Sequence, residues 1–243
     1  MADGSKERGM KIGIIGAGLI GGTLAKKLVG LGHQVVIANS RGPETLREVA
    51  AETGATPVTA AEAARGGEIV IVTITQRAIP DLQKDLFAGV PADVVVVDTG
   101  NYYPARDGEL PGFGEGQTDS AWVAEHLGRP VVKAFNNIFY KSLQAKSAPK
   151  GAPGRVALPV AGGSPEARAK VMRLVDELGF DPVDAGSLEE SWRQQPGTPC
   201  YIQDLDAPRL KEALASAEKS RVPEYREKAD ASLRAYFEAL KKA

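Results

Sequence analysis

Lys11-Ile12-Gly13-Ile14-Ile15-Gly16-Ala17-Gly18-Leu19-Ile20-Gly21 decides the reading of this chain. A short apolar run enters a glycine-rich turn, and an apolar segment then continues to about Gly30, which reads as strand, turn and helix. A phosphate anion is held by backbone N–H donors at a helix N-terminus, and it reaches them only where side chains are absent. In that arrangement Gly16 permits the tight turn, Gly18 the close approach of a pyrophosphate, and Gly21 the contact of helix with strand, and Leu19 and Ile20 between them count with the cofactor-binding residues. Glycine-rich turns are common, and 27 of the 243 residues are glycine, so the spacing alone is a weak signal. Its context strengthens it, because a second strand, Gln34-Val35-Val36-Ile37-Ala38, ends near the expected offset of ~20 residues. The expected ligand is a dinucleotide.

The end of that second strand selects which dinucleotide. An NAD site places Asp or Glu there to bind the ribose 2′-hydroxyl, whereas this chain has Asn39-Ser40-Arg41. A carboxylate would repel a 2′-phosphate; a guanidinium binds it bidentately or stacks on the adenine, and a serine hydroxyl adds a donor. The expected cofactor is therefore NADP(H).

Composition excludes several classes. The chain is 43% hydrophobic and 25% charged with a formal charge of −1, and it has no basic cluster of the density that nucleic acid requires. Apolar runs such as Ile69-Val70-Ile71-Val72 and Val94-Val95-Val96-Val97 are far shorter than a bilayer span and fit buried parallel strands. Cys200 is the only cysteine, so no intrachain disulfide forms, and the chain shows no charged-then-apolar secretory signal. The expectation is a cytoplasmic protein that binds neither membrane nor nucleic acid. With only His33 and His126 available and neither near Cys200 in sequence, that thiol reads as a core residue, and no metal site is expected.

Residues 1–9 are polar and read as a loose extension before Met10. From there strands alternate with helix-period segments: strand 11–15, helix 20–29, strand 34–38, helix 43–53, short strand 55–59, helix 60–65, strand 69–74, helix 77–86 and strand 94–98. A loop at 104–116, a helix at 118–127 and a sixth strand at 130–135 follow. Such alternation predicts an α/β fold, a doubly wound parallel sheet of the Rossmann kind with order 3-2-1-4-5-6.

Proline and glycine crowd residues 147–154 and mark a boundary between a dinucleotide-binding domain, 10–146, and a smaller C-terminal α/β and helical region, 155–243. The latter reads as a strand at 156–161, a helix at 165–178 capped by Ser164 and stopped by Gly179, and a strand at 180–184. Two helices end the chain, one capped by Asp206 with Pro208 in its first turn and one opened by Pro223 and reaching Lys242. Leu210, Ala213, Leu214 and Ala217 share a face of the first, and Tyr225, Ala229, Leu233, Tyr236 and Leu240 a face of the second. These faces read as core packing, with a homodimer contact as the alternative; a homodimer is the expected assembly.

In an open sheet the reacting half of a dinucleotide lies beyond the carboxyl ends of strands one, four, five and six. Those exits read Thr73-Ile74-Thr75-Gln76, Asp98-Thr99-Gly100-Asn101-Tyr102-Tyr103 and Ala134-Phe135-Asn136-Asn137. They are polar and hold no evident acid–base pair. Asp98 reads equally as a turn cap; Lys133 reads as a proton donor or, more commonly for a long lysine inside a strand run, as a side chain that snorkels to solvent; Asn136 and Asn137 read either as orienters of a carboxamide or substrate carbonyl or as satisfiers of turn backbone. No catalytic side chain is assigned.

Together, the glycine turn, Ser40-Arg41, Val72-Thr73-Ile74, Val131-Val132-Lys133-Ala134-Phe135-Asn136 and Asp184-Ala185-Gly186-Ser187-Leu188 make the chain resemble, over about residues 11–202, the NADP oxidoreductases of the coenzyme-F420-dependent type. The resemblance implies that Ser40 and Arg41 hold the 2′-phosphate, that Thr73, Ile74, Thr75 and residues Ala134 to Asn136 wall the nicotinamide, and that hydride passes directly between NADPH and a stacked deazaflavin acceptor. Three features depart from that pattern. Thr75-Gln76 replaces a Pro-Trp or Pro-Phe step, Gly42-Pro43-Glu44-Thr45 replaces a basic residue, and the helices after about residue 203 exceed the compact form. Trp192, Tyr201 and Tyr102 are then candidate aromatic walls of the acceptor site. Flavins, quinones, imines and small carbonyl compounds stay open as acceptors, as does a non-catalytic NADPH sensor.

Overall fold

A computed structural model describes residues 9–114 and 116–242. Residues 1–8 of the expected extension, and the side chain of Leu240, lie outside the described residues. The first half alternates as its apolar runs dictate: β1 (Lys11–Ile15), α1 (Leu19–Gly30), β2 (Gln34–Ala38), α2 (Arg47–Thr53), β3 (Thr56–Pro57), α3 (Ala60–Arg65), β4 (Ile69–Val72) and β5 (Val95–Asp98). There follow α4 (Pro104–Asp107), α5 (Asp119–Leu127), β6 (Val131–Lys133), α6 (Tyr140–Ala145), β7 (Ala157–Gly162), α7 (Pro165–Glu177), β8 (Asp181–Asp184), α8 (Ala207–Ser216) and α9 (Val222–Lys242).

The strands form one sheet in the order β3-β2-β1-β4-β5-β6-β7-β8. Its first six strands are parallel in the expected order. Beyond the 147–154 loop, in the region expected as a smaller C-terminal part, the chain re-enters the sheet with β7 antiparallel to β6, and β8 then runs parallel to β7. Because side chains alternate across a strand, Val95 and Val97 join Ile12, Ile14, Leu24, Leu28, Val171 and Leu174 on one face. Val96 joins Val70, Val72, Trp122 and Val123 on the other. Each fully buried leucine or isoleucine contributes about 1.5–3 kcal/mol relative to an exposed one. A third cluster, Ala157, Val183, Cys200, Leu210 and Leu214, ties α8 to β7 and β8.

The helix expected at 77–86 does not form. A 3-10 turn at Gln76–Ala78 gives way to successive turns, with N–H donations from Ile79 to Gln76 (3.0 Å), Leu82 to Ile79 (3.1 Å) and Leu86 to Gln83 (3.0 Å). Pro80 has no N–H, and in an α-helix its ring would strike the carbonyl of Gln76. The segment at 43–53 is a 3-10 turn, Pro43–Leu46, running into α2, and a further 3-10 turn, Glu189–Gln194, lies where no element was expected. On α9, Tyr225 and Ala229 are buried but Tyr236 is exposed, so the predicted apolar face is covered only over its first half.

Candidate functional site

The site is built first on the turn between β1 and α1. Gly16 has φ 117° and donates its N–H to Ala38 O at 2.8 Å. A Cβ on Gly16 would lie 2.2 Å from Thr73 O, and one on Gly21 would lie 1.9 Å from Gly16 O, so both glycines are required by packing between β1, α1 and the β4 exit. Gly18 differs. Its backbone is extended (φ −78°, ψ −166°), and a Cβ there would meet nothing within 4 Å.

The start of α1 is also uncapped. The side chains of Thr59, Thr118, Ser164 and Asp206 accept first-turn N–H groups of α3, α5, α7 and α8, whereas Gly18 offers α1 no such acceptor. No acidic residue occupies the first turn of α1, and among the described residues nothing accepts from the N–H groups of Leu19, Ile20 and Gly21. Leu19 turns its side chain outward, 61% exposed. Open donors, a positive dipole end and free space over Gly18 fit a pyrophosphate.

At the end of β2, Asn39 folds the loop. Its Oδ1 accepts the Arg41 N–H (2.9 Å) and its Nδ2 donates to Thr45 Oγ1 (2.9 Å), which in turn donates to Gly42 O (2.8 Å). Both ends of the Asn39 side chain are therefore engaged within the loop, leaving Ser40 and Arg41 exposed beside it. Among the described residues the Arg41 guanidinium has no hydrogen-bond or ion-pair partner, and the Glu44 carboxylate lies against Gly42.

Beyond β4, Thr73 donates its N–H to Ile15 O (2.8 Å), and Thr73, Ile74 and Thr75 are half-buried. Gln76 is fully buried, and among the described residues neither carboxamide atom has a partner, its Oε1 standing 2.5 Å from where a Cβ of Gly100 would be. The snorkelling expected of Lys133 is corrected: it is 0% exposed, and its Nζ donates to Ser120 Oγ (2.8 Å) and Gly100 O (3.1 Å), 4.0 Å from Asp98 Oδ2. The direction decides this, since Lys133 points into the face under α5 where solvent is absent. Ala134 is buried and donates to Asp98 O (3.2 Å). Phe135 is buried with φ 60°, a left-handed conformation costing on the order of 1–2 kcal/mol for a residue with a Cβ.

Asn136 is clamped by a segment that sequence reasoning missed. Its Nδ2 donates to Gln194 O (2.7 Å) and Asn101 Oδ1 (3.0 Å), and its Oδ1 accepts Gln194 Nε2 (2.9 Å). Its amide therefore orders the β6 exit against residues 189–204 and is not free for a ligand. The same segment places Gln195 on Asp119, Ile202 N–H on Asn137 O (2.7 Å) and the Tyr201 hydroxyl on that of Tyr103. In the sequence Trp192 and Tyr201 mark this segment only as candidate ring walls; the further signal for the clamp is the polar run Arg193-Gln194-Gln195, whose two glutamines are buried.

Of the three candidate aromatic walls, Tyr201 meets the polar side chains of the strand exits, its hydroxyl accepting from Asn101 Nδ2 at 3.3 Å. Trp192 is buried with the Arg193 guanidinium over its ring (4.4 Å), and Tyr102 is buried against Phe113 with Arg226 over its ring (4.9 Å), so neither presents a free face. Burial pushes the phenol of Tyr103 up and that of Tyr201 well up, so both stay protonated at neutral pH. Burial likewise raises the Cys200 thiol to about 11, which leaves it inert. Among the described residues no three His, Cys, Asp or Glu gather as a metal site, and no helix is long and apolar enough to cross a membrane.

Residues 11–102 match the family described as NADP oxidoreductase, coenzyme F420-dependent. The Escherichia coli K12 protein YjhV is 49% identical over 91 residues, 37% of this chain and 59% of that protein. The chain spans less than two thirds of the length of the curated relatives it matches. Among solved structures, a hypothetical protein of Sinorhizobium meliloti, SMa0349, superposes with a TM-score of 0.68 at 31% identity, covering 81% of this chain and 95% of that one. An F420-dependent NADP-reductase candidate from Arthrobacter sp. FB24 superposes with a TM-score of 0.61 at 24% identity, over 75% of this chain and 87% of that one, and shares the fold. Over residues 11–102 the chain thus carries the domain of the NADP oxidoreductase family described as coenzyme F420-dependent, and over most of its length it shares the fold of SMa0349.

Proposed function

We propose that this protein is an NADPH-dependent reductase that passes a hydride to a planar ring acceptor such as coenzyme F420 or a flavin. Bound NADPH would supply the hydride. The uncapped α1 N-terminus and open Gly18 would hold the pyrophosphate, Ser40 and Arg41 the 2′-phosphate, and the β4 and β6 exits the nicotinamide. The observation that carries the acceptor class is the engagement of the charged side chains and of the Asn136 amide at the exits by the protein itself. Asp98 and Lys133 are buried with Ser120, and Asn136 is clamped by Gln194. A ring acceptor suits such a site because positioning of two stacked rings, without a side-chain acid, can drive the transfer.

A second reading rests on one feature, the protonated Tyr201–Tyr103 hydroxyl pair beside Asn101. That pair could donate a proton to an imine or small carbonyl acceptor, whose reduction develops charge on nitrogen or oxygen. Purified protein with NADPH deuterated at the transferred position should be tested against F420, flavins, quinones, cyclic imines and small ketones, alongside Tyr201→Phe. Transfer of deuterium to a ring acceptor with a primary isotope effect, little changed by Tyr201→Phe, is expected. Turnover of imines or ketones alone, lost in Tyr201→Phe by the ~100-fold typical of a general acid, would replace the first reading with the second. NADPH binding without oxidation by any acceptor would leave a sensor.

A further inference from the structure

The mechanism above gives Lys133 nothing to do, yet it is among the most enclosed side chains of the protein. Burying an amino group and a carboxylate together is costly, and apolar side chains of the same volume usually serve stability as well or better. A different purpose is legible in what the pair holds. Asp98 Oδ1 accepts the Gly100 N–H at 2.9 Å, and Lys133 Nζ donates to the Gly100 carbonyl at 3.1 Å. Ser120 bridges the two, donating to Asp98 Oδ2 (2.6 Å) and accepting from Lys133 (2.8 Å). Both backbone groups of Gly100 are thus pinned from the same buried side. The Gln76 carboxamide lies against its α-carbon, which is why no Cβ fits there.

A trans peptide places its N–H opposite its carbonyl, and no peptide bond here is cis. With the Gly100 carbonyl drawn toward Lys133, the Asn101 N–H points away from the buried lysine. Among the described residues nothing accepts that N–H. Nor can Asn101 turn to bury it, because its side chain donates to Asn136 O (2.8 Å) and Tyr201 OH (3.3 Å) and accepts from Asn136 Nδ2 (3.0 Å). The residue is half-buried, so its N–H is a fixed, partly desolvated donor between the exits of β5 and β6.

We infer that Lys133 is a positioning residue, which fixes the Gly100–Asn101 peptide so that the Asn101 N–H receives a planar carboxamide oxygen. Granted the NADP(H) reading of the site, on which this inference rests, that oxygen belongs to the nicotinamide end of the cofactor. Asp98 and Ser120 act through the same peptide, and none of the three touches the ligand.

The test separates the two ends of the cofactor. Wild type, Lys133→Met and Ser120→Ala would each be titrated by calorimetry with NADPH, which carries the nicotinamide, and with 2′,5′-ADP, which lacks it. NADPH emission on binding would report the nicotinamide's surroundings. Loss of one oriented hydrogen bond predicts about tenfold weaker NADPH binding in Lys133→Met with a diminished emission change, a smaller loss in Ser120→Ala, and 2′,5′-ADP affinity within about twofold of wild type. Equal weakening of both ligands would mean a merely structural role and overturn the inference, as would unchanged NADPH binding and emission. If Lys133→Met does not fold, Ser120→Ala decides by the same two comparisons. Wild type binding neither ligand would instead refute the NADP(H) reading, and this inference with it.

Discussion

Gly18→Val should separate cofactor binding from folding, because Gly18 is the one glycine of its turn with open space above it. A Cβ there meets nothing within 4 Å, and the extended backbone at φ −78° is one that valine favours. Restricting the unfolded chain stabilises by about 0.4–1 kcal/mol, while a branched apolar residue at the helix N-cap costs about the same relative to glycine. The net change in stability is therefore within about 1 kcal/mol, a shift in Tm of at most ~4 °C for a chain of this size. Binding should respond differently. The valine methyl groups occupy the approach to the first-turn N–H donors of α1, and losing two charge-assisted hydrogen bonds at ~1.5–3 kcal/mol each weakens NADPH by at least about 100-fold. Calorimetric titration with NADPH and thermal unfolding of the apo protein measure the two quantities. Gly21→Ala is the contrast: its Cβ would stand 1.9 Å from Gly16 O, so it should lose about 1–3 kcal/mol of stability before any ligand is added. A folded Gly18→Val protein that binds NADPH within about threefold of wild type would refute the placement of the pyrophosphate.

Arg41→Ala should weaken NADPH by about 1.5–3 kcal/mol and leave NADH nearly unchanged, since the exposed guanidinium has no partner to lose among the described residues; equal losses for both cofactors would remove the 2′-phosphate assignment. Cys200 is 2% exposed with its thiol raised by burial to about 11 from 9.0, so the thiolate fraction at pH 8 is lowered ~100-fold. Alkylation should accordingly be slow in the native protein and rapid in denaturant, and the sign of the shift means that ionisation of the unfolded thiol draws stability down as pH rises past 9.0. Fast native labelling at pH 8 would place the thiol outside the core.

The first six strands and the glycine turn between β1 and α1 were legible in the sequence, because each is set by spacing between near neighbours. Continuous apolar runs make strands buried on both faces, and the glycines of the first turn let helix and strand approach. Pro80 was legible too, and its clash with Gln76 should have barred a helix at 77–86. What the tertiary structure alone decided depends on residues far apart in the chain. Lys133 is buried because Ser120, 13 positions before it, and Gly100, 33 before it, meet its amino group across two elements. Asn136 is locked by Gln194 across 58 positions, and Tyr103 meets Tyr201 across 98. Trp192 and Tyr102 were available as walls by residue type alone, and only the arginines stacked over their rings show them closed. Local pattern encodes which face of a strand or helix is apolar; which distant polar group satisfies a buried one is set by how the faces pack, and the chemistry at the strand exits follows from that second choice.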